Sequence, residues 1–522
     1  MPFLATLPII IILILMVGYR WGAARAGAAG YISAFIIAIA FFGASTKVLA
    51  YAHTKAILLS FDVLYIIWTA YLLYRVSDEA GAIEIIGEAL RQLTSDKGMQ
   101  AILIGWVFAS FLQGTGGFGV PVAITAPLLI GLGFSPLAAV VIPTIGHGWA
   151  VTFGSLGSSF NALISATNLD AGYLAPSSAL FLGLAALPTG LMVVHAANGW
   201  SAVKRLVAKV LIIGTVMGGT QYFVAVNLGL WNIGSFAGGV AGLVVGVAIA
   251  YWSEASQKHT RRSAPSTGGK IIDAKRLFIA LSAYLILILF TVGILLAPPL
   301  FVPEIKKTLG EFAIQLSFPE TITSAGYISP AGANKAIPIF THTGAILLYS
   351  SAAAFVIYKR AGLYTKNAGK KILSQTARKM VTSSLSIVLM VAMAMVMQQS
   401  GMTEALAQGL ANAVGVAFPF FAAWIGALGA FMTGSNTNSN VLFAALQMRT
   451  SELLAYSVPI ILAAQTAGAS VGSVLAPAKL IVGASTAGME GKEGIALRAV
   501  IGYGGGLILF ISLLTVLAVI FQ

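Results

Sequence analysis

Ten long apolar runs, almost free of charge, constrain this chain more than any other feature: 3–17, 27–42, 56–74, 177–197, 210–226, 233–252, 277–296, 344–358, 381–398 and 499–521. A helix that crosses the hydrocarbon of a bilayer needs about 20 such residues. Of 522 residues, 58% are hydrophobic and only 9% are charged, against roughly 25% charged in soluble domains. Such a chain cannot cover a water-exposed surface, so the expected fold is an all-α polytopic membrane protein in contact with lipid. The net charge of +14 would point a soluble protein toward nucleic acid. Here the excess lies in loops, and no nucleic acid partner is expected. Cysteine is absent, which excludes disulfides, thiolate nucleophiles and Cys-ligated metals.

Loop charge sets an expected orientation. Residues 253–276 carry Lys258, Arg261, Arg262, Lys270, Lys275 and Arg276 against Glu254 and Asp273, and 358–380 carry seven bases and no acid. Both read as cytoplasmic. Between them, 298–340 balances three bases against Glu304, Glu311 and Glu320. No positive charge precedes the first run and Arg20 and Arg25 follow it, so it reads as a retained helix with its N-terminus outside rather than a signal peptide. The stretch 253–276 is the candidate linker between an N-terminal half, 1–252, and a C-terminal half, 277–522. Residues 81–92 read as a short interfacial amphipathic helix.

Two regions, 100–157 and 404–486, are apolar yet rich in Gly, Pro, Ser, Thr and Asn, the composition of broken helices or re-entrant hairpins. At an offset of 320, Phe111, Gly114 and Gly148 fall opposite Phe431, Gly434 and Gly468. Each half thus carries a Gly-broken segment followed by a second small-polar one. Transporters with internal repeats bind substrate where such discontinuous helices meet. The segments 111–119, 145–158, 433–440 and 465–477 are therefore expected to form one central site.

Gly114-x-Gly116-x-x-Gly119 formally matches a dinucleotide fingerprint, but that motif needs a preceding strand and a following helix, and apolar membrane segments flank it here. Read as a broken helix, 113–119 (Gln113, Gly114, Thr115, Gly116, Gly117, Phe118, Gly119) offers backbone N–H groups and a helix dipole to a carboxylate; the alternative is that its glycines only permit close packing. The run Gly434-Ser435-Asn436-Thr437-Asn438-Ser439-Asn440 is the strongest single signal, because consecutive hydroxyls and amides between apolar runs are costly unless satisfied. Ser435 or Asn436 can equally cap a helix. Of the few ionisable residues at membrane depth, Asp62 and His147 are the proton-coupling candidates. For Asp62 the alternative is the polar end of its helix. Lys479 either attracts an anion or snorkels to the surface, and His195 and His342 are expected at the interface. No catalytic triad or His-Glu-x-x-His pattern is present, so no enzyme chemistry and no cofactor or metal is expected.

Three stretches resemble the lactate permease family: FLQGTGGFGVPVAITAPLLIGLGFSPLAA (111–139) with VTFGSLG (151–157), MTGSNTNSNVLFAALQ (432–447) and QTAGASVGSVLAPAKLIVGASTAGMEGKEG (465–494). The resemblance implies proton-coupled uptake of a 2-hydroxymonocarboxylate, lactate or glycolate, across a prokaryotic plasma membrane, by about twelve to fourteen helices. It also exposes departures. Gln113 replaces a family Glu, Asn436 a family Asp, and His147 and Gln465 replace family Asn residues, while Lys479 stands at an uncharged position. A neutral Gln113 cannot carry a proton, so His147 is expected either to take over protonation or to strengthen anion binding.

In the expected mechanism one half moves against the other around a fixed site. The carboxylate faces N–H groups near Gly116–Gly119, the hydroxyl contacts Ser435, Thr437 or Asn440, with Gln465 and Thr466 nearby, and Phe118 shapes the pocket. A sodium-coupled or uncoupled carrier and an anion channel are the alternatives. Since the chain has no cysteine, Ser435→Cys and Thr115→Cys each give a single labelling site. Lactate is expected to slow maleimide labelling at both, and labelling indifferent to lactate would contradict the central-site assignment.

Overall fold

Inside hydrocarbon, backbone N–H and C=O groups have no water to bond, so a spanning chain satisfies them within helices. The computed structural model describes residues 1–19, 21–117, 119–260, 273–295 and 311–521, and these are overwhelmingly helical. Arg20, Phe118 and most of the linker, residues 261–272, lie outside the described residues, as does Glu304.

The first half runs α1 (Pro2–Leu13), α2 (Ala23–Ala40), α3 (Thr46–Glu79) and α4 (Ala82–Arg91). Then α5 (Lys97–Gln100) continues through a π-helical stretch, Ala101–Phe108, into α6 (Ala109–Thr115). There follow α7 (Val120–Gly131), α8 (Pro136–Gly146), α9 (Ser158–Thr167), α10 (Ala171–Tyr222), α11 (Gly234–Thr260) and α12 (Ala274–Leu295). The remaining helices are α13 (Thr343–Arg360), α14 (Ala368–Gln399), α15 (Met402–Val414), α16 (Phe418–Thr433), α17 (Asn436–Leu453), α18 (Val458–Leu475), α19 (Pro477–Thr486) and α20 (Glu493–Ile520). Among the described residues nine helical stretches are long and apolar enough to cross a membrane. One, Ala171–Asn227, is kinked by non-helical backbone at Asn198 and Gly199, which makes two spans of it, as the separate apolar runs imply.

Both regions rich in small polar residues contain broken helices. Chain breaks separate α6 from α7, α8 from α9, α16 from α17 and α18 from α19. Left-handed Gly119, Gly157 and Gly434 stand at three of them, a conformation that costs glycine nothing; Pro477 opens α19 at the fourth. The hydroxyl of Ser435 caps α17 by accepting from the Asn438 amide at 3.2 Å. The order of elements from α13 to α20 follows that from α2 to α10: a helix, a very long helix (α3, α14), a short amphipathic helix (α4, α15), a broken pair, a return helix, a second break and a long closing helix.

Glycine sets how closely the helices approach. A Cβ on Gly468 would lie 2.0 Å from the carbonyl oxygen of Ala423, and one on Gly426 would lie 2.0 Å from that of Gln465, so α16 and α18 meet backbone to backbone. Gly146 meets the Gly105 carbonyl in the same way, at 2.0 Å. With no hydrophobic force between helices in lipid, such contacts supply much of the association.

The long helices α3 and α14 lie side by side, with α2 against α14 and α13 against α3. They run in opposite directions. Glu79 at the end of α3 pairs with Lys371 at the start of α14 (2.8 Å), while Gln399 at the far end of α14 meets Lys55 near the start of α3 (2.9 Å).

An unexpected element follows α12. Residues 311–340 form a nested antiparallel hairpin of three short pairs, Ala313–Ile314 with Ile337–Pro338, Ser317–Phe318 with Gly332–Ala333, and Thr321–Ile322 with Ile328–Ser329. It docks on the α2–α3 turn, where the Ser324 amide donates to the Gly43 carbonyl at 3.0 Å.

Gly468→Val is expected to destabilise the chain by roughly 1–3 kcal/mol through overpacking, read as a lower midpoint of thermal unfolding in detergent. Gly502→Val, where nothing lies within 4 Å of an added Cβ, should leave that midpoint nearly unchanged.

Candidate functional site

The breaks in the two halves bring helix amino ends together. Ser159, in the first turn of α9, and Thr437, in the first turn of α17, share a hydroxyl hydrogen bond of 3.1 Å. First-turn amides have no carbonyl partner within their own helix, and each amino end carries about half a positive charge. Two such ends meet here; the hydrogen bonds of the Ser159–Thr437 contact come from hydroxyls, amides and carbonyls, while Asn161, two residues further along α9, donates to the Asp62 carboxylate.

Around this junction the halves are stitched by a buried polar network. The Thr152 hydroxyl lies 3.0 Å from the Thr466 carbonyl and 3.2 Å from its hydroxyl. Asn436 donates through Nδ2 to Thr152 Oγ1 (2.9 Å), and Asn440 donates to the Ser159 carbonyl and to Thr466 Oγ1, both at 2.9 Å. Ser470 extends the seam by donating to the Gly148 carbonyl (2.6 Å). Several buried atoms in this region lack partners among the described residues: the amide oxygens of Gln113, Asn436, Asn438 and Asn440, and Nε2 of His147. Unpaired buried polar atoms are expensive, so a cluster of them marks a place where a polar ligand can bind.

Gln465 donates to Ser439 Oγ (3.1 Å) and accepts from Gln447 Nε2 (2.5 Å), which ties α18 to α17. Gln113 touches the loop before α9, its carbonyl accepting from the Ser155 amide at 2.7 Å; Ser155 and Leu156 adopt positive φ there. His147 is fully buried, with Nδ1 donating to the Pro143 carbonyl at 2.6 Å. Lys479 is buried rather than snorkelling, and donates to Ser473 Oγ (3.1 Å).

The Gly-rich break at 113–119 differs from expectation. The helix α6 runs to Thr115, and the Gly116 amide is spent on the Leu112 carbonyl (2.7 Å). Pro121 removes a donor from the first turn of α7. A Cβ on Gly114 would come 2.5 Å from Phe236 Cα, so this glycine admits α11. At α9 the Ser158, Phe160 and Asn161 amides are likewise spent, on the Ser155, Thr152 and Gly157 carbonyls, and at α17 the Asn438 amide is capped by Ser435.

Asp62 organises a second cluster beside the first. Its carboxylate accepts from Asn161 Nδ2 (2.7 Å), Ser165 Oγ (2.6 Å) and His342 Nε2 (2.9 Å), and Lys335 Nζ stands 3.5 Å away. Asn161 is two residues beyond Ser159 on α9, so one short helix joins both clusters. His342 stands at the amino end of α13, near a span end, where it is buried on Asp62 and stacked on Tyr65 with ring centroids 5.0 Å apart. His195 does sit near a helix end, beside Tyr503 (2.8 Å) and Trp200.

Asp62 and Ser165 line a cavity of about 290 Å³ under the hairpin, between α3, α9 and α14. Thr152, Ser159, Asn161, Lys55 and Lys335 were not singled out from the sequence. Thr152, Ser159 and Asn161 flank a glycine turn, and Lys55 is a charge inside a spanning helix; those were the available signals.

A family model described as L-lactate permease matches residues 2–521. The glycolate permease GlcA of Escherichia coli (strain K12) is 29% identical over 94% of this chain and 90% of that protein. An L-lactate permease of Bacillus subtilis (strain 168) is 26% identical over 96% of this chain and 92% of its own length. Among solved structures, the Alcanivorax borkumensis YdaH transporter superposes with a TM-score of 0.51 at 14% identity, over 91% of this chain and 90% of that one, a likeness of fold alone.

Asn440→Ala would leave the Ser159 carbonyl and the Thr466 hydroxyl without this donor. It should lower stability by about 1–3 kcal/mol, read as an earlier thermal unfolding midpoint, whereas Asn412→Ala on the exposed face of α15 should not.

Proposed function

Because this chain belongs to the L-lactate permease family, we propose that it imports a small 2-hydroxymonocarboxylate, L-lactate or glycolate, together with protons and by alternating access. It is a multi-pass membrane transporter and not an enzyme. The observation that carries the substrate reading is the meeting of the α9 and α17 amino ends at Ser159 and Thr437. Two positive dipole ends at one buried point repel each other, and a carboxylate between them turns repulsion into attraction without any basic side chain. The unpartnered amide oxygens of Asn436 and Asn440, on the first turns of α17, can accept from the substrate hydroxyl. With its Nδ1 hydrogen on the Pro143 carbonyl, neutral His147 presents a lone pair at Nε2.

Asp62 is the proton carrier in this reading. It reaches the cavity under the hairpin and has a histidine as its hydrogen-bond partner, whereas His147 does not line that cavity. Protonating Asp62 weakens its hold on Lys335 and Asn161, and Asn161 shares α9 with the substrate contact, which gives proton and substrate a common moving part.

Alternating access follows from treating 1–252 and 277–522 as repeats of opposite direction, linked by 253–276. The support is the matching element order and the antiparallel run of α3 and α14. With the basic segments cytoplasmic, the hairpin and the N-terminus lie outside. Sodium is the rival coupling ion, since unpartnered amide oxygens suit a hard cation.

The test is uptake of radiolabelled L-lactate into proteoliposomes under separate proton and sodium gradients. Accumulation under the proton gradient is expected. Asp62→Asn should lower concentrative uptake about tenfold or more, the scale of losing one buried charge-assisted contact, while retaining lactate exchange. Accumulation driven only by sodium, or an Asp62→Asn carrier that still concentrates lactate, would refute proton coupling at Asp62.

A further inference from the structure

The cavity beneath the hairpin contains more than the proton-coupling reading uses. Its wall includes two ammonium groups, Lys55 on α3 and Lys335 on the hairpin, with Ser165, Asn168, Asn334 and Gln399 as further polar lining. At about 290 Å³ it lies at the lower end of the range for ligand pockets, a size for a small metabolite.

The charges in it are unevenly paired. Asp62, the acid on the wall, is already engaged by Asn161, Ser165, His342 and Lys335. Lys55 has no carboxylate partner among the described residues. Its Nζ donates to the neutral Gln399 Oε1 at 2.9 Å and stands 5.0 Å from the Phe318 ring centroid. Gln399 Oε1 also accepts from Ser329 Oγ (2.8 Å), so this amide is fixed by the hairpin and in turn aims the lysine. An ammonium has three donors, and one is committed here. A charge inside a spanning helix is expensive unless paired or exposed to a polar cavity, and this one faces the cavity.

We propose that this cavity is a second, outer binding site for the monocarboxylate anion, in which Lys55 holds the carboxylate and Lys335 supplies the second positive charge. The proposal rests on the monocarboxylate reading above and extends it. The outer site shares no lining residue with the Ser159–Thr437 junction, and the Asp62–Asn161 contact stands between them. An anion arriving at Lys55 competes with Asp62 for Lys335, whose Nζ lies 2.5 Å from Asn161 Oδ1. Capture at the outer site therefore loosens the contact that closes the way inward. The paired cations also concentrate anions at the mouth.

The experiment is equilibrium binding of radiolabelled L-lactate to the purified full chain in nanodiscs, with uptake measured in parallel. Wild type is expected to bind two lactates, Lys55→Gln one, and Lys55→Arg two. For Lys55→Gln the apparent KM for uptake should rise about tenfold, the scale of one charge-assisted contact. On the unaltered protein, acetate should displace the outer lactate and lactamide, a neutral isostere, should not. Wild type that transports lactate but binds a single equivalent, or displacement by lactamide as effective as by acetate, overturns the outer site and leaves the transport reading standing. Wild type that neither transports nor binds lactate overturns both.

Discussion

Everything at the centre of this protein depends on a rule of the bilayer: a backbone break at membrane depth must find polar company inside the protein. Four breaks occur, two in each half, and each exposes helix ends. The fold meets the constraint by pairing broken segments from opposite halves: α9 meets α17 at Ser159 and Thr437, and the amino end of α7 packs on α19 at Val482 and Gly483. At the α9–α17 junction hydroxyls and amides cross-link the halves through Thr152, Ser159, Asn436, Asn440 and Thr466. Within this region a set of amide oxygens and one imidazole nitrogen have no partner among the described residues. Structural necessity and ligand chemistry thus occupy one place.

Asp62 links this centre to the cavity under the hairpin. Its partners come from three elements, α9, α13 and the hairpin, so its charge state bears on the position of all three. The pseudo-antiparallel scaffold of α3 and α14 gives it a fixed platform, clamped at one end by Glu79 and Lys371 and at the other by Lys55 and Gln399. Small residues make that economy of space possible. Where Gly426 and Gly468 bring backbones into contact, α16 and α18 pack as one unit.

Much of the site was legible along the chain. The polar run 434–440, the Gln465–Thr466 pair and His147 announce themselves as polar groups in apolar surroundings, and residues 436–440, Gln465, Thr466 and His147 are buried. The Gly-rich stretch 113–119 was legible as a break but not in its purpose. Its Gly116 amide is spent on the Leu112 carbonyl, and Gly114 serves the approach of Phe236. Thr152 lies in the segment 145–158 that the sequence assigns to the site, but its bonds and those of Ser159 are not legible, because a hydroxyl in a small-residue segment looks the same whether it bonds its own helix or another. The pairing of His342 with Asp62 is not legible, because the two are distant in sequence and no local pattern encodes it.

The sequence by itself determined the membrane class, the helical spans, the positions of the breaks and the family, since each follows from local apolar length, helix-breaking residues or a contiguous motif. Tertiary structure alone decided which broken ends meet, that the 311–340 hairpin covers a cavity, and that Asp62, His342, Lys335 and Asn161 form one cluster. The reason is physical. Hydrophobic length and backbone preference act over a few turns of chain, whereas the pairing of a buried charge or a helix dipole is settled by whichever partner three-dimensional packing brings within about 3 Å.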